Sequence, residues 1–321
     1  MKSFTVNEND AGQRLDKYLT KSLPALPQAL MYKYLRLKRI KVNGKRAENA
    51  RRLVKGDVID LYINDEFFAQ PSPAAAFAGT GKKLDILYED EDILVLNKEP
   101  GLLSHPDEGE YADTLITRAQ RYLYERGEYD PASERSFAPA LANRIDRNTG
   151  GIVLAAKTAE ALRILNEKLR DREIEKYYLC VLAGRPPKDA DVVESFMMKD
   201  EKNNRVRLYS RPVPGGRTMR TGYRVLAEKD GLTLAEIRLY TGRTHQIRAQ
   251  MAALGCPLLG DGKYGTKDLE APIGKYRRQC LCSYRTVFAF RTDAGCLNRL
   301  NGRVFTVKEI PFLKLFDYSI P

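Results

Sequence analysis

The sequence predicts an α+β fold with a large mixed, mainly antiparallel sheet flanked by helices and loops. A small helix-helix-hairpin domain precedes it. From Lys83 onward, short apolar runs alternate with helical stretches, while a strongly basic unit comes before them. A segment rich in Pro, Ala and Gly separates the two. We therefore predict a small domain over residues 1–64, a linker over 65–83 and a large domain over 84–321.

The small domain has the periodicity of two helices, a hairpin and a strand. Leu15 and Tyr18 recur at helical spacing, and apolar residues do so again in a second segment over 27–38. The Asn-Gly pair at 43–44 is a strong signal for a two-residue hairpin turn. Apolar and polar residues then alternate over 58–63, which predicts a strand.

The larger part combines strands and helices. Apolar patterns predict strands at 84–90, 92–98, 152–156, 177–182 and 232–239, and helices over 113–126, after Thr158, and over 244–254. Thr158 is a suitable N-cap, and Gly255 is a natural stop for the last helix. An acidic start at Asp113 fits the dipole of its helix. These elements predict a sheet with helices packed on it.

The charge of the chain predicts a polyanionic partner. The sequence has 54 Lys and Arg against 42 Asp and Glu, a net charge of +12. Residues 1–64 hold fourteen of these basic residues and six acidic ones, so about two thirds of the excess lies there. The candidate contacts to such a partner in this unit are Lys33, Arg36, Lys38, Arg39 and Lys41. The alternative is a solvated charged face without a ligand.

Several classes of protein fit poorly. Five cysteines, an odd number in a long chain, suit a reducing cytosol better than a disulfide framework. There is no apolar run long enough to span a membrane, and the polar start lacks a signal core. Two histidines and no fitting cysteine spacing argue against a metal site. We expect a cytoplasmic protein without a metal.

The stretch NRIDRNTGGIVLAAKT, residues 143–158, carries a candidate catalytic group. Asp146 lies between Arg144 and Arg147, followed by a turn-forming cluster and an apolar strand. A carboxylate on a loop at the edge of a core is a common place for catalysis. The arginines could hold it ionised or contact phosphates. The alternative is a surface ion pair that closes a turn.

Two further stretches carry candidate site residues. Around the predicted start of the last helix, Arg243, His245 and Arg248 gather donors where a helix N-terminus favours anions. They could equally hydrogen-bond the turn. Three glycines over 260–265 predict a flexible loop, although the pattern is not that of a P-loop. In IEKYYLCVLAG, neighbouring Tyr177 and Tyr178 should face opposite sides of a strand, one towards the core and one towards a cleft.

Four stretches together resemble one family. EDEDILVLNKEPGLLSHP (89–106), RIDRNTGGIVLAAKT (144–158), EKYYLCVLAG (175–184) and TGRTHQIRAQMAALGCPLLGDGKYG (241–265) occur in the order of the RluA-type pseudouridine synthases of the large ribosomal subunit. The resemblance covers about residues 83–310 and implies the pseudouridine synthase fold. Separately, residues 12–62 resemble a small RNA-binding domain named after a small-subunit ribosomal protein.

The resemblance assigns roles to individual residues. Asp146 falls on the catalytic aspartate of the family, Tyr178 on its active-site tyrosine, and Arg248 on the basic partner of the aspartate. Lys176 matches the lysine of the tyrosine motif, and Cys180 replaces the usual alanine. Two departures, Asn143 and Ser283, could bear on the subgroup and its target. RNA contacts near the site would come from Arg144, Arg147, Arg243 and His245.

The implied reaction converts a uridine in RNA to its C-glycosidic isomer, without cofactor or metal. Asp146 would act as a nucleophile at C1′ or as a base at C2′ that yields a glycal. Ribosomal RNA of the large subunit is the expected partner of a monomer, and transfer RNA stays an alternative. The rivals are a non-catalytic RNA-binding or ribosome-assembly protein of the same fold, and a hydrolase of phosphorylated small molecules.

Overall fold

A computed structural model describes residues 1–68, 77–200, 205–265 and 276–320 of the chain. The helices are α1 (Leu15–Ser22), α2 (Gln28–Arg36), α3 (Leu115–Glu125), α4 (Ala159–Arg170) and α5 (Gln246–Ala253). The strands form a four-stranded sheet near the N-terminus and an eleven-stranded sheet beyond it, counted over the described residues. The predicted α+β class with a large sheet is therefore confirmed.

The small sheet is built from β1 (Lys2–Thr5), β2 (Ile40–Val42), β3 (Lys45–Arg46) and β4 (Val58–Leu61), in the order β1-β4-β2-β3. The predicted hairpin is present, and Asn43 and Gly44 turn it with φ angles of 51° and 71°. The first strand was not predicted, because its four residues form a strand only by pairing with β4, where Phe4 lies opposite Ile59. Leu15 is fully buried in the core of this sheet.

The large sheet is almost wholly antiparallel. Its strands are β5 (Ile86–Glu89), β6 (Ile93–Lys98), β7 (Ala140–Leu141), β8 (Gly150–Ala156), β9 (Ile174–Ala183), β10 (Ala190–Asp200), β11 (Arg205–Tyr209), β12 (Arg217–Lys229), β13 (Leu232–Leu239), β14 (Leu281–Phe288) and β15 (Val304–Thr306). Nine of them follow the order β11-β10-β12-β13-β9-β14-β8-β6-β5, with β7 beside β8 and β15 beside β14. Among these described strands, only β8 and β14 pair in parallel.

Both faces of the central strands are buried. In β6, Ile93 and Val95 face the core formed with α4, whereas Leu94 and Leu96 face the core formed with α3 and α5. All seven residues of β8 are buried for the same reason. Burial on two sides fixes this part of the sheet, which carries the candidate site at its edge.

The long β10–β12 meander was not predicted. Charged residues occupy many of its positions, so the strands show little of the apolar alternation that would identify them. Met197, Val206 and Met219 nevertheless form a small core with Ala249 of α5. The meander is thus packed on the helix that carries Arg248.

The predicted linker differs from the structure at both ends. Residues 65–68 form a 3-10 turn, and residues 69–76 lie outside the described part. Phe77 packs against Tyr124 with ring centroids 5.4 Å apart, and the Thr80 hydroxyl donates to the Ala112 carbonyl at 2.9 Å. The end of the segment is therefore packed against α3 and the loop before it.

Two predicted helix starts were wrong by two residues. Thr114, not Asp113, caps α3 through a capping box with Thr117, and the Asp113 carboxylate instead accepts from Arg118 at 2.7 Å. The last helix begins at Gln246 rather than Thr244, because His245 adopts a left-handed conformation with φ of 51°. The predicted cap by Thr158 is confirmed, since its side chain accepts from the Ala161 amide. None of the described helices is long and apolar enough to cross a membrane.

Hydrogen bonds join the N-terminal part of the chain, which contains the small sheet, to the part that contains the large sheet. The amides of Asn7 and Asn9 donate to the two carboxylate oxygens of Glu134, each at 3.2 Å. The Asn9 side-chain oxygen Oδ1 also accepts from the Ala159 backbone amide at 3.1 Å, at the first turn of α4. The N-terminal sheet is therefore held by hydrogen bonds to a loop and to a helix start.

Candidate active site

Asp146 lies on the loop between β7 and β8, and neighbouring groups hold that loop in place. The Ser104 hydroxyl donates to the Ile145 carbonyl at 2.9 Å, and the buried ammonium of Lys98 donates to the Arg147 carbonyl at 2.9 Å. The Thr149 amide closes the turn onto the Asp146 carbonyl at 3.0 Å. Hydrogen bonds thus fix the backbone before and after Asp146 and hold its side chain at the edge of the sheet.

A glycine allows the loop to enter the sheet. Gly151 has φ of +108°, and a β-carbon there would come within 2.2 Å of the Ser283 carbonyl oxygen. No other residue fits this position beside β14. The glycine in the turn-forming cluster is therefore required by the close approach of two strands, and it sets where the Asp146 loop ends.

One guanidinium joins two carboxylates at the centre of the site. Arg248, in the first turn of α5, donates through Nη1 to Asp146 Oδ2 at 2.9 Å and through Nε and Nη2 to Asp261 at 2.7 and 2.8 Å. Burial alone would raise the pKa of Asp261, but the Arg248 hydrogen bonds hold that pKa below its usual range. Asp261 is buried, whereas the Asp146 side chain is 29% exposed. The buried Asp261 therefore orients the arginine, which donates its remaining Nη1 to the accessible carboxylate of Asp146.

A second chain of contacts ends at Asp146. The Val206 amide of β11 donates to the Tyr264 hydroxyl at 3.0 Å, and that hydroxyl lies 3.0 Å from His245 Nδ1. The tyrosine hydroxyl can thus donate a hydrogen bond to Nδ1, and the single N–H proton of a neutral imidazole then lies on Nε2. His245 Nε2 is 3.9 Å from Asp146 Oδ2. Burial lowers the pKa of His245, which favours this neutral form.

Tyr178 is the tyrosine of the pair that faces the site side of the sheet. It is buried in the same core as α5, whereas Tyr177 packs between guanidinium groups on the other face. Burial raises the pKa of the Tyr178 hydroxyl to about 12, and the nearby charge of Asp146 acts in the same direction. Ser283, one of the two departures from the family pattern, lies opposite Tyr178 in the β9–β14 register.

Asn143, the other departure, has a structural contact. Its side-chain carbonyl accepts from the Leu154 amide at 2.8 Å and so ties the start of the loop to β8. The structure hydrogen-bonds Arg248 to Asp146, places His245 Nε2 3.9 Å from that carboxylate, and buries Tyr178 in the core that also contains α5.

The remaining predicted RNA contacts lie on the surface. Arg144, Arg147 and Arg243 are exposed, and the last two donate only to backbone carbonyls at 3.1 and 3.3 Å. Lys33, Arg36, Lys38 and Arg39 are exposed along and after α2, and Lys41 lies over the Tyr62 ring. None of these five forms an ion pair with another residue in the described part of the chain.

Sequence reasoning missed four residues of the site: Lys98, Ser104, Asp261 and Tyr264. A signal for Lys98 existed, because the inward alternation of Leu94 and Leu96 in β6 continues to that lysine. The glycines over 260–265 were predicted to form a flexible loop. At its start, a β-carbon placed on Gly260 would stand 2.3 Å from the Arg278 carbonyl oxygen, so the chain packs closely there. In the described residues no group of three or more His, Cys, Asp or Glu could hold a metal.

Comparison with known proteins identifies a family and a second domain. Residues 92–253 match the family described as RNA pseudouridylate synthase, and residues 13–59 match the S4 domain. The ribosomal large subunit pseudouridine synthase C of Vibrio cholerae is 31% identical over 278 residues, which cover 84% of this chain and 82% of the relative. Synthase D of Salmonella typhimurium is 32% identical over 291 residues, covering 86% and 83%.

A solved structure shows the same fold. The human RNA pseudouridylate synthase domain containing 4 aligns with a TM-score of 0.56 and 22% identity, covering 74% of this chain and 94% of that one. The chain therefore belongs to the RNA pseudouridylate synthase family, with an S4 domain at its N-terminus. It is an isomerase that acts on RNA.

Proposed function

We propose that this enzyme isomerises uridine in ribosomal RNA of the large subunit, and that Asp146 carries the reaction. The target is supported by what the bacterial relatives named above are said to act on. The role of Asp146 is supported by one observation: it is an accessible carboxylate held by a buried arginine that a second carboxylate orients. Transfer RNA stays the alternative substrate.

The reaction needs no external reactant. The N1–C1′ bond of uridine breaks, the uracil turns, a C5–C1′ bond forms, and the C5 proton finally moves to N1. In one course, Asp146 would attack C1′ to form an ester, which C5 then displaces as it bonds to C1′. In the other, Asp146 would remove the C2′ proton as the N1–C1′ bond breaks, which gives a glycal, and would return that proton to C2′ as C5 bonds to C1′. Either course requires an ionised carboxylate in contact with the sugar.

The neighbours of Asp146 suit this chemistry. Arg248 keeps the Asp146 carboxylate in one position, and the contact with Asp261 stops the Arg248 guanidinium from turning away. Tyr178 would support the base by stacking and take part in proton transfer through its hydroxyl. The high pKa of Tyr178 keeps that hydroxyl protonated at neutral pH, so it can donate.

The exposed cations would hold the RNA while the target base leaves its stack. Extrusion of a base costs a few kcal/mol, which phosphate contacts can offset. We assign Arg144, Arg147, Arg243 and His245 to the RNA around the target, and the five basic residues of α2 and β2 to its flanks. The domains would be 1–64 for RNA binding and 84–321 for catalysis, joined by 65–83, in a cytoplasmic monomer.

The proposal is tested by tritium release from C5-labelled uridine in ribosomal RNA. Asp146→Asn keeps the size of the side chain but removes its charge and should lower the release rate by at least about a thousandfold. The Arg248 contact keeps an acceptor in this variant, so the melting temperature should change little. Release at the native rate from Asp146→Asn would contradict the role of Asp146. No release from the native enzyme on ribosomal RNA would contradict the substrate and favour transfer RNA or the non-catalytic alternative.

A further inference from the structure

A basic cavity opens beside the candidate site. It has a volume of about 250 Å³ and lies between the end of α4, the start of β9 and the loop from β13 to α5. Arg170, Arg172, Lys176, Arg238 and Arg243 line it. A concentration of positive charge in one concave site favours an anionic ligand.

Three of these cations have no carboxylate partner. Arg170 pairs with Asp171 at 3.2 Å and Arg238 pairs with Glu175 at 2.5 Å. Arg172, Lys176 and Arg243 form no ion pair with any residue that the structure describes. The protein therefore leaves a local excess of positive charge that it does not neutralise itself.

Lys176 is the most confined of the three. It is half-buried, and burial lowers its pKa. The one acidic side chain that lines the cavity, Glu175, is paired with Arg238 instead. Its ammonium lies 3.6 Å from the place where a β-carbon on Gly242 would stand, so the glycine leaves that group uncovered. Desolvating a cation in this way is unfavourable unless an anion joins it.

The cavity is close to the reacting groups. Lys176 and Tyr178 are two residues apart on β9, so both side chains project from the same face, about 7 Å apart along the strand. Arg243 precedes His245, whose ring faces Asp146. A group bound in the cavity would therefore lie within about one nucleotide of a uridine held at Asp146.

We propose that this cavity binds a backbone phosphate of the RNA next to the target uridine, with Lys176 as its central ligand. This inference rests on the proposed function, because it takes the polyanion to be the RNA substrate. Lys176 is then a positioning residue: it fixes the strand so that the extruded nucleotide reaches Asp146.

The test measures RNA affinity against salt concentration in the Asp146→Asn background, so that binding is read without turnover. Lys176→Met should weaken binding about tenfold at moderate salt and reduce the slope of log affinity against log salt by about one. Lys176→Arg should restore most of both. Lys229→Met is the control, because that lysine ends β12 opposite Leu232, at the far end of β13 from the cavity and about 23 Å from it along the strand.

A second variant keeps the charge and blocks access to it. Gly242→Leu has no backbone strain to overcome and would cover the Lys176 ammonium, so it should weaken RNA binding as Lys176→Met does. Unchanged affinity and slope in both variants would overturn the inference. Inorganic phosphate that binds the native protein, but not Lys176→Met, while RNA affinity is unaffected, would also overturn it and indicate a site for free phosphate.

These outcomes are separable from the proposed function. A protein that yields no tritium from any RNA but loses one unit of salt slope in Lys176→Met would retain the phosphate site and lose the reaction. A protein that isomerises uridine with native salt dependence in Lys176→Met would retain the reaction and lose the site.

Discussion

At the scale of single residues, the site depends on how buried charges are paired. Arg248 is almost fully buried, and its guanidinium satisfies Asp261 with two donors and Asp146 with a third. A planar fork can do this, whereas an ammonium cannot bind both carboxylates with the same geometry. The pairing also explains how a carboxylate can be both accessible and fixed.

Exchange of Arg248 for lysine tests this arrangement. Arg248→Lys keeps the charge but loses the bidentate contact, so we expect at least about a hundredfold fall in tritium release at saturating RNA. The affinity for RNA should stay close to native. Tritium release within a factor of two of native would show that the fork is not needed. Arg224→Lys, at an exposed ion pair, is the control and should be neutral.

Lys98 gives a prediction for pH. Burial lowers its pKa to about 7 from an ordinary 10.5, so between these values the unfolded chain holds a proton that the folded chain has released. The free energy of unfolding should therefore rise with pH over this window, by up to about 1.4 kcal/mol per pH unit from this group. Below about pH 7 the group adds no slope, because both states are charged.

Urea unfolding of native protein and Lys98→Met from pH 6 to 10 measures this contribution. The difference in free energy of unfolding between the two should grow in favour of the native protein above about pH 7. The exposed Lys83→Met variant is the control and should track the native protein. A difference that stays constant over the whole range would contradict the role of burial.

At the scale of elements, Tyr264 connects the β10–β12 meander with the start of α5. Its hydroxyl accepts from β11 and contacts His245, and its ring lies 5.3 Å from the Arg248 guanidinium. The left-handed turn at His245 is thus held from one side by the meander. The hydrogen bonds of Tyr264 therefore link β11 to His245 beside Asp146, in addition to the apolar contact of Val206 with Ala249.

Tyr264→Phe removes both hydrogen bonds and keeps the ring. We expect kcat to fall about tenfold, because the imidazole loses its fixed orientation, while RNA affinity changes little. The Val206 amide should exchange its hydrogen faster once its acceptor is gone. Tyr209→Phe, on the same strand as Val206, is the control. Native kcat together with faster exchange at Val206 would mean that the Tyr264 hydroxyl stabilises β11 and does not position His245 for the reaction.

At the scale of the whole molecule, the basic surface of α2 and the site around Asp146 lie in different parts. Helix α2 packs in the core of the N-terminal sheet, whereas Asp146 and Arg248 belong to the part built on the large sheet. Hydrogen bonds from Asn7 and Asn9 to Glu134 hold the N-terminal part against the large sheet's part. RNA bound to α2 would then be presented to the catalytic loop from a fixed direction. The N-terminal part therefore should contribute affinity rather than chemistry.

Neutralising Lys33, Arg36, Lys38 and Arg39 together with glutamine tests this division. If all four contact phosphates, the slope of log affinity against log salt should fall by about three, and affinity should drop markedly at physiological salt. Tritium release at saturating RNA should remain near native. A variant in which four other surface cations are neutralised is the control: Arg163, Arg185, Lys188 and Lys229. Unchanged affinity and slope in the test variant would exclude the α2 surface as an RNA contact.

The sequence by itself determined the fold class, most helices and the loop that carries Asp146. These features are written in local patterns: apolar periodicity, the Asn-Gly turn, and the turn-forming cluster after Asp146. The close approach of β14 that requires Gly151 was found only in the tertiary structure. The β10–β12 meander escaped because its charged strands are stabilised by pairing and by α5, not by their own alternation.

Only the tertiary structure decided which groups meet. Asp146 and Arg248 are 102 residues apart, and Asp261 joins them from a segment that sequence alone predicted to be a flexible loop. Lys176 and Arg243 meet in one cavity only because β9 and β13 are neighbours in the sheet. Contacts of this kind depend on strand order and register, which no local pattern encodes, because they arise when distant segments bury their apolar faces together.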